Sequence, residues 1–173
     1  MKLISIVIPC YNSEATIRKV VEMVMEEFKK MDGYDCEFVL VNDGSPKDNT
    51  YGEIKKLGEQ YQNVKGINLL RNFGQHNALM AALHYTEGDF ILGMDDDMQT
   101  HPSQLPYLFE ELEKGYDIVY GYYPLMTSAQ CVHANTRGCD KKRGLSYLKD
   151  RYQVQFPVKN FCTYCYNVVY NSL

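Results

Sequence analysis

The sequence predicts an α/β fold, a mostly parallel sheet flanked by helices on both faces. Short β-branched apolar runs alternate with stretches of helical periodicity from the first residues to about residue 122, the pattern that builds parallel sheets with crossover helices. Polar clusters follow four of those runs, at Tyr11–Asn12, Asn42–Ser45, Arg71–Gln75 and Asp95–Gln99. In such sheets ligands bind beyond the carboxyl ends of the strands. Each cluster alone reads as a turn; together on one edge they make a site.

In order, Ile4, Ile6, Val7 and Ile8 predict a first strand stopping at Pro9, which cannot donate to a ladder. Asn12 or Ser13 is placed to cap the next helix, where Ile17, Val20, Val21, Val24, Phe28 and Met31 recur at helical spacing until Gly33. Glu37–Val41 is a second strand, and Asn42–Thr50 a concentrated turn signal. A helix from Thr50 to Tyr61 and a strand Val64–Leu70 follow, the strand weakened by Gly66. Asn77–Tyr85 reads as a short helix, and Phe90–Met94 as a buried fourth strand. An amphipathic helix from Pro102 to Lys114 and a fifth strand Tyr116–Tyr120 complete the alternation. Beyond Pro124 no period is sustained.

The 173 residues suffice for one domain with a proper core. A net charge of −4 argues against nucleic acid bound through a broad basic surface. No apolar run approaches the ~18 residues of a membrane span, and the N-terminal MKLISIVIPCYN reads as a strand, not a signal peptide. Six cysteines without a secretion signal point to reduced thiols in the cytosol.

The acidic run Asp95–Asp96–Asp97 is the strongest chemical signal. Adjacent like charges persist at a buried strand's end only where solvent or a cation neutralises them. On extended backbone Asp95 and Asp97 face one side and Asp96 the other. Two such carboxylates, with Gln99 near, suit Mg²⁺ or Mn²⁺ holding a substrate diphosphate; the plainer reading is a solvated turn capping the helix at Pro102. Asp43 could accept from a base or ribose, or belong simply to an Asp-Gly turn. Tyr11 could stack on a base or merely pack, and Arg71 could meet a phosphate or lie solvated. Cys162 and Cys165, with Cys131, His133 and Cys139, admit a zinc site, but their spacing favours free thiols. Lys141–Arg143 could touch anionic lipid or phosphate, or be ordinary surface. No dinucleotide or P-loop signature is present.

In these motifs the chain resembles the nucleotide-sugar domain of family 2 glycosyltransferases, which have the A-type glycosyltransferase fold. Val7–Asn12 (VIPCYN), Val41–Ser45 (VNDGS), Arg71–Gly74 (RNFG) and Met94–Gln99 (MDDDMQ) carry the resemblance, over residues 3 to about 122. The pairing of RNFG-Q with MDDDMQ-x-HP is most similar to the branch loading sugars onto polyprenyl phosphates. The resemblance implies that Pro9 and Tyr11 shape the base pocket and Asp43 reads the base, with Asn12 and Arg71 also among the substrate-binding residues. It further implies a D-x-D pair, with Asp97 as the catalytic metal ligand, Asp95 toward ribose or metal, and Gln99 supporting the metal–diphosphate group. The implied cofactor is Mg²⁺ or Mn²⁺. The implied partners are a nucleotide-diphospho-sugar and a polyprenyl phosphate or glycan acceptor, met in the cytoplasm at the inner face of the membrane.

There are departures: Ser13 precedes Glu14 where the family often has Glu, and Asn42 replaces the first of two aspartates. The resemblance ends near Pro124, so residues 1–124 are expected to form the nucleotide-sugar-binding domain, and 125–173 a diverged or truncated acceptor-side segment. Two rivals stand beside the transferase, a non-catalytic nucleotide-sugar-binding remnant and a magnesium-dependent Asp-nucleophile phosphatase. The latter would place its D-x-D-x-[TV] motif after the first strand.

Overall fold

The computed structural model describes residues 1–98, 101–114, 118–122, 153–157 and 168–171. Four parallel strands form the expected frame: β1 (Lys2–Cys10), β2 (Tyr34–Asn42), β3 (Val64–Asn68) and β4 (Phe90–Gly93). Between them run α1 (Ile17–Phe28), α2 (Thr50–Gln60) and α3 (Gln75–Leu83). After β4 a 3₁₀ turn, Pro102–Gln104, leads into α4 (Leu105–Leu112) and then β5 (Ile118–Tyr122). Two further strands, β6 (Gln153–Pro157) and β7 (Val168–Asn171), come from the stretch without a legible period. Among the described residues the sheet order is β3-β2-β1-β4-β7-β5-β6. β7 runs antiparallel between β4 and β5, and β6 lies parallel to β5.

Strand periodicity sorts the core onto two faces. Ile4, Ile6 and Ile8 of β1, with Phe38 and Leu40 of β2, pack against Val20, Val24 and Phe28 of α1, Ile54 and Leu57 of α2, and Leu108 and Phe109 of α4. The Phe28 and Phe109 rings meet edge to face at 5.9 Å. On the other face Val7, Val39 and Val41 take Ala78 and Ala82 of α3. Those small residues let α3 lie close to the strands that carry the site.

Two boundary differences and one at a strand glycine have local causes. β1 continues through Pro9 to Cys10: the Val7 carbonyl accepts from Met94 on the β4 side and the Cys10 carbonyl from Asp43 on the β2 side. By alternation Pro9 presents its missing N–H toward β4, beyond the last β1–β4 pair, Val7–Gly93, so no ladder bond is lost. α1 begins later than its capping signal implies: Thr16 is the N-cap, and Ser13 contributes only its carbonyl to the first turn. Gly66 does not weaken β3, because a Cβ there would lie 2.6 Å from Ile54 Cγ2; the glycine lets α2 close onto the strand.

At the opposite end of the sheet from the polar loops, a polar knot fixes the start of β4. The carboxylate of Glu37, 6% exposed, accepts from Ser5 Oγ (2.5 Å) and the Glu87 amide (2.6 Å), and pairs with Lys65 at 3.0 Å. Ser5 Oγ in turn accepts from the Gly88 amide at 2.8 Å. Burial pushes the Glu37 carboxyl up, but Ser5, the Glu87 amide and Lys65 outweigh it and hold it below the usual carboxylate range.

Candidate functional site

The carboxyl ends of β1, β2 and β4 and the loop after β3 enclose an open cavity of about 330 Å³. Pro9, Cys10 and Tyr11 line it from β1, Asp43 from β2, and Asn72, Gly74 and Gln75 from the segment entering α3. Asp95, Asp96 and Asp97 line it from β4. The site residues inferred from sequence therefore divide. Pro9, Tyr11, Asp43, Asp95 and Asp97 are brought together; Asn12 and Arg71 are not among the lining residues, and Gln99 lies outside the described residues. The cysteine, histidine and basic clusters between Cys131 and Cys165 also lie outside them.

Asp43 is 3% exposed, and both its oxygens are engaged: Oδ1 accepts from the Phe73 amide (2.7 Å) and Oδ2 from the Gly74 amide (2.9 Å). Its carboxylate thus holds the loop after β3 in place. Gly44 serves the same contact. Its φ is +61°, and a Cβ there would fall 2.3 Å from the Arg71 carbonyl carbon. The close backbone approach that this glycine permits is made by the neighbouring loop.

Asn12, at φ 56°, adopts the left-handed conformation that asparagine tolerates better than most residues. Its amide donates to Ser45 Oγ (2.9 Å), and its side-chain oxygen accepts from the Lys47 amide (3.2 Å). Asn12 therefore ties the loop after β1 to the loop after β2. Arg71 is exposed and lies over the Phe73 ring at 4.9 Å, a cation–π contact on the outside of the loop. Tyr11, 46% exposed at the rim, leaves its ring accessible.

The three aspartates part company. Asp95 Oδ1 accepts from Gln75 Nε2 at 2.8 Å, at the start of α3. Asp96 turns back toward the loop after β1, accepting from Ser13 Oγ and from the Tyr11 amide. Asp97 is exposed at the cavity. Burial raises the Asp96 carboxyl above its usual range, against the lowering effect of the Ser13 hydroxyl and Tyr11 amide. Burial, with Asp96 nearby, also raises Cys10 well above a normal thiol, so this cavity-lining cysteine is a poor nucleophile.

Sequence reasoning put the Arg71–Gln75 cluster at the site but gave no individual role to Asn72 or Gln75, both of which line the cavity, nor to Ser13, which meets Asp96 beside it. Gln75 stood within the quoted RNFGQ run, and its position one residue past the glycine, at a helix start, was the available signal. Among the described residues no three or more His, Cys, Asp or Glu side chains are grouped to hold a metal by themselves. Asp95 and Asp97 supply two hard oxygen donors at an open mouth. That donor set fits Mg²⁺ or Mn²⁺ sharing its remaining positions with phosphate oxygens and water.

Comparison with known proteins bears on the family and the fold. The chain is 41% identical over 117 residues to the undecaprenyl-phosphate 4-deoxy-4-formamido-L-arabinose transferase of Shewanella sediminis, covering 67% of this chain and 35% of that protein. It spans about a third of the length of the curated relatives it matches. Among solved structures it superposes on a mannosyltransferase of Pyrobaculum calidifontis in complex with GDP-Man and Mn²⁺ (TM-score 0.58, 19% identity, 70% of this chain and 35% of that one). It also superposes on glucosyl-3-phosphoglycerate synthase of Mycobacterium tuberculosis with Mn²⁺, UDP-glucose and phosphoglyceric acid (TM-score 0.55, 25% identity, 75% and 46%). The frame is thus that of nucleotide-sugar transferases. The family model for glycosyl transferase family 2 matches residues 5–168, and the chain belongs to that family.

Proposed function

We propose that this chain forms the donor-binding part of a metal-dependent glycosyltransferase acting on a nucleotide-diphospho-sugar. The observation that carries the proposal is the convergence of Tyr11, Asp43, Asp95 and Asp97 on one cavity at the carboxyl edge of the parallel strands. Tyr11 would stack on the base from the rim, while Asp43 and the loop it holds form the wall behind. Asp95 and Asp97 would hold Mg²⁺ or Mn²⁺ against the diphosphate, with Gln99 in support. The cation would supply the positive charge that stabilises the departing nucleoside diphosphate. Gln75 keeps the Asp95 carboxylate oriented, and Arg71 would reach donor phosphate only by leaving the Phe73 ring.

The acceptor would attack the anomeric carbon through a phosphate or hydroxyl oxygen. The Shewanella relative is named for undecaprenyl phosphate, which supports a polyprenyl phosphate as the acceptor class. Among the described residues no helix is long and apolar enough to cross a membrane. We assign nucleotide-sugar binding to residues 1–124 and the acceptor side to 125–173; β7, from the latter, pairs directly with β4 and so joins the strand that leads into the aspartates. The phosphatase alternative loses support, because the end of β1 carries Cys10 and Tyr11 where its nucleophile would stand. Calorimetric titration with UDP-, GDP- and dTDP-sugars tests the proposal: one of them should bind in the presence of Mn²⁺, and no binding with any would overturn it.

A further inference from the structure

Asp96 lines the same cavity as Asp95 and Asp97, but its carboxylate reaches across to the loop after β1. Its Oδ2 accepts from Ser13 Oγ and, at 3.4 Å, from the Tyr11 amide. Ser13 is 4% exposed and is itself a junction. Its Oγ accepts from the Tyr11 amide at 2.9 Å, and its own amide donates to Thr50 Oγ1 at 2.7 Å. Thr50 Oγ1 donates to Asp48 Oδ1 at 2.6 Å, at the start of α2. Three chain segments therefore meet at one serine: the loop after β1, the entry to α2, and the turn after β4.

We propose that Asp96 is a positioning residue that, through Ser13, couples the nucleotide loop at Tyr11 to the cation–diphosphate turn at Asp95 and Asp97. The inference rests on the donor-binding reading above and adds to it a physical connection between its two halves. Asp96 is covalently flanked by the two carboxylates assigned to the cation, so a shift of its side chain moves both neighbours. The same oxygen is shared with the amide of Tyr11, so that shift also moves the ring at the rim. A cation held by Asp95 and Asp97 would thereby also fix Tyr11, and a base stacked on Tyr11 would fix the aspartates. By linkage each ligand then raises the affinity for the other by the same factor. An aspartate is not required for the tie in principle, because any side-chain oxygen with two lone pairs in this place accepts from both donors.

The test compares the wild-type chain with Asp96→Ala, Asp96→Asn and Ser13→Ala, titrating UDP and GDP by calorimetry with and without MnCl₂, with folding checked by circular dichroism. The readout is the factor by which Mn²⁺ tightens nucleotide binding. In wild type that factor is large for at least one nucleotide. Asp96→Ala reduces it at least about fivefold, whereas Asp96→Asn, whose amide oxygen accepts from Ser13 and Tyr11, keeps it within about twofold. Ser13→Ala retains all three carboxylates and loses the enhancement as Asp96→Ala does; it carries the test alone if Asp96→Ala does not fold. An undiminished factor in Asp96→Ala or Ser13→Ala overturns the tie. So does an equal loss in Asp96→Asn and Asp96→Ala, which would mean that Asp96 acts by its charge. If wild type binds neither nucleotide with Mn²⁺, the tie and the donor-binding reading fall together.

Discussion

Replacing Asp43 with alanine removes the acceptor of two backbone amides at once, those of Phe73 and Gly74 at 2.7 and 2.9 Å. A hydrogen bond to a charged group contributes roughly 1.5–3 kcal/mol, and a buried donor left unpaired costs about 1–3 kcal/mol. Asp43 is buried, but the loop it holds is partly open, since Phe73 is 45% exposed and water can replace part of what is lost. The expected destabilisation is therefore about 2–3 kcal/mol, below the sum of two buried bonds. Asp43→Asn is predicted to cost nearly as much, because its NH₂ would confront one of the two donors. Urea denaturation measures the change. Hydrogen exchange locates it: the Phe73 and Gly74 amides should lose protection while those of β1 and β2 keep it. A variant with wild-type stability and wild-type protection at Phe73 would refute the role of Asp43 as the holder of this loop.

Gly44→Ala forces a non-glycine residue to φ +61° against the Arg71 backbone and should cost on the order of 3 kcal/mol, read as a fall in melting temperature. Gln75→Ala leaves the fold intact but frees Asp95 from its 2.8 Å partner; loss of such support to a ligand costs about tenfold in metal affinity, measurable as weaker Mn²⁺-dependent nucleotide binding. Glu37 has a depressed carboxyl in the folded state. Its contribution is therefore present above its unfolded pKa and is lost as pH falls through the lower folded value. Acid melting curves should steepen below about pH 4.3, the ordinary Glu value, and Glu37→Gln should flatten that dependence.

What the sequence made legible was the alternation of strand and helix as far as β5, because the apolar period survives wherever an element faces one core. The two inner faces of β1 are visible in its residues: Ile4, Ile6 and Ile8 on one side, Val7 on the other. The clustering of Tyr11, Asp43, Asp95 and Asp97 was legible for a topological reason, that parallel strands deliver their following loops to one edge. The contacts among those loops were not legible. Asn12 and Arg71 look like ligand contacts on chemistry alone, yet Asn12 ties two loops and Arg71 lies on Phe73, both facts of tertiary approach. Ser13 reads as a helix cap by local propensity, but its hydroxyl is taken by Asp96, from the turn after β4, 83 residues away. β6 and β7 escaped notice because such short strands, separated from their partners by long stretches, leave no period to detect.

The central claim is that Asp95 and Asp97 join a cation to a donor diphosphate. Its most direct test is the affinity of wild type, Asp95→Asn and Asp97→Asn for UDP-glucose and GDP-mannose, each measured with MnCl₂ and with EDTA. The prediction is that wild type binds one of these donors only with Mn²⁺, and that either substitution brings the Mn²⁺ affinity down to the EDTA level. Donor binding that is equally tight in EDTA, or unchanged in both variants, would contradict it.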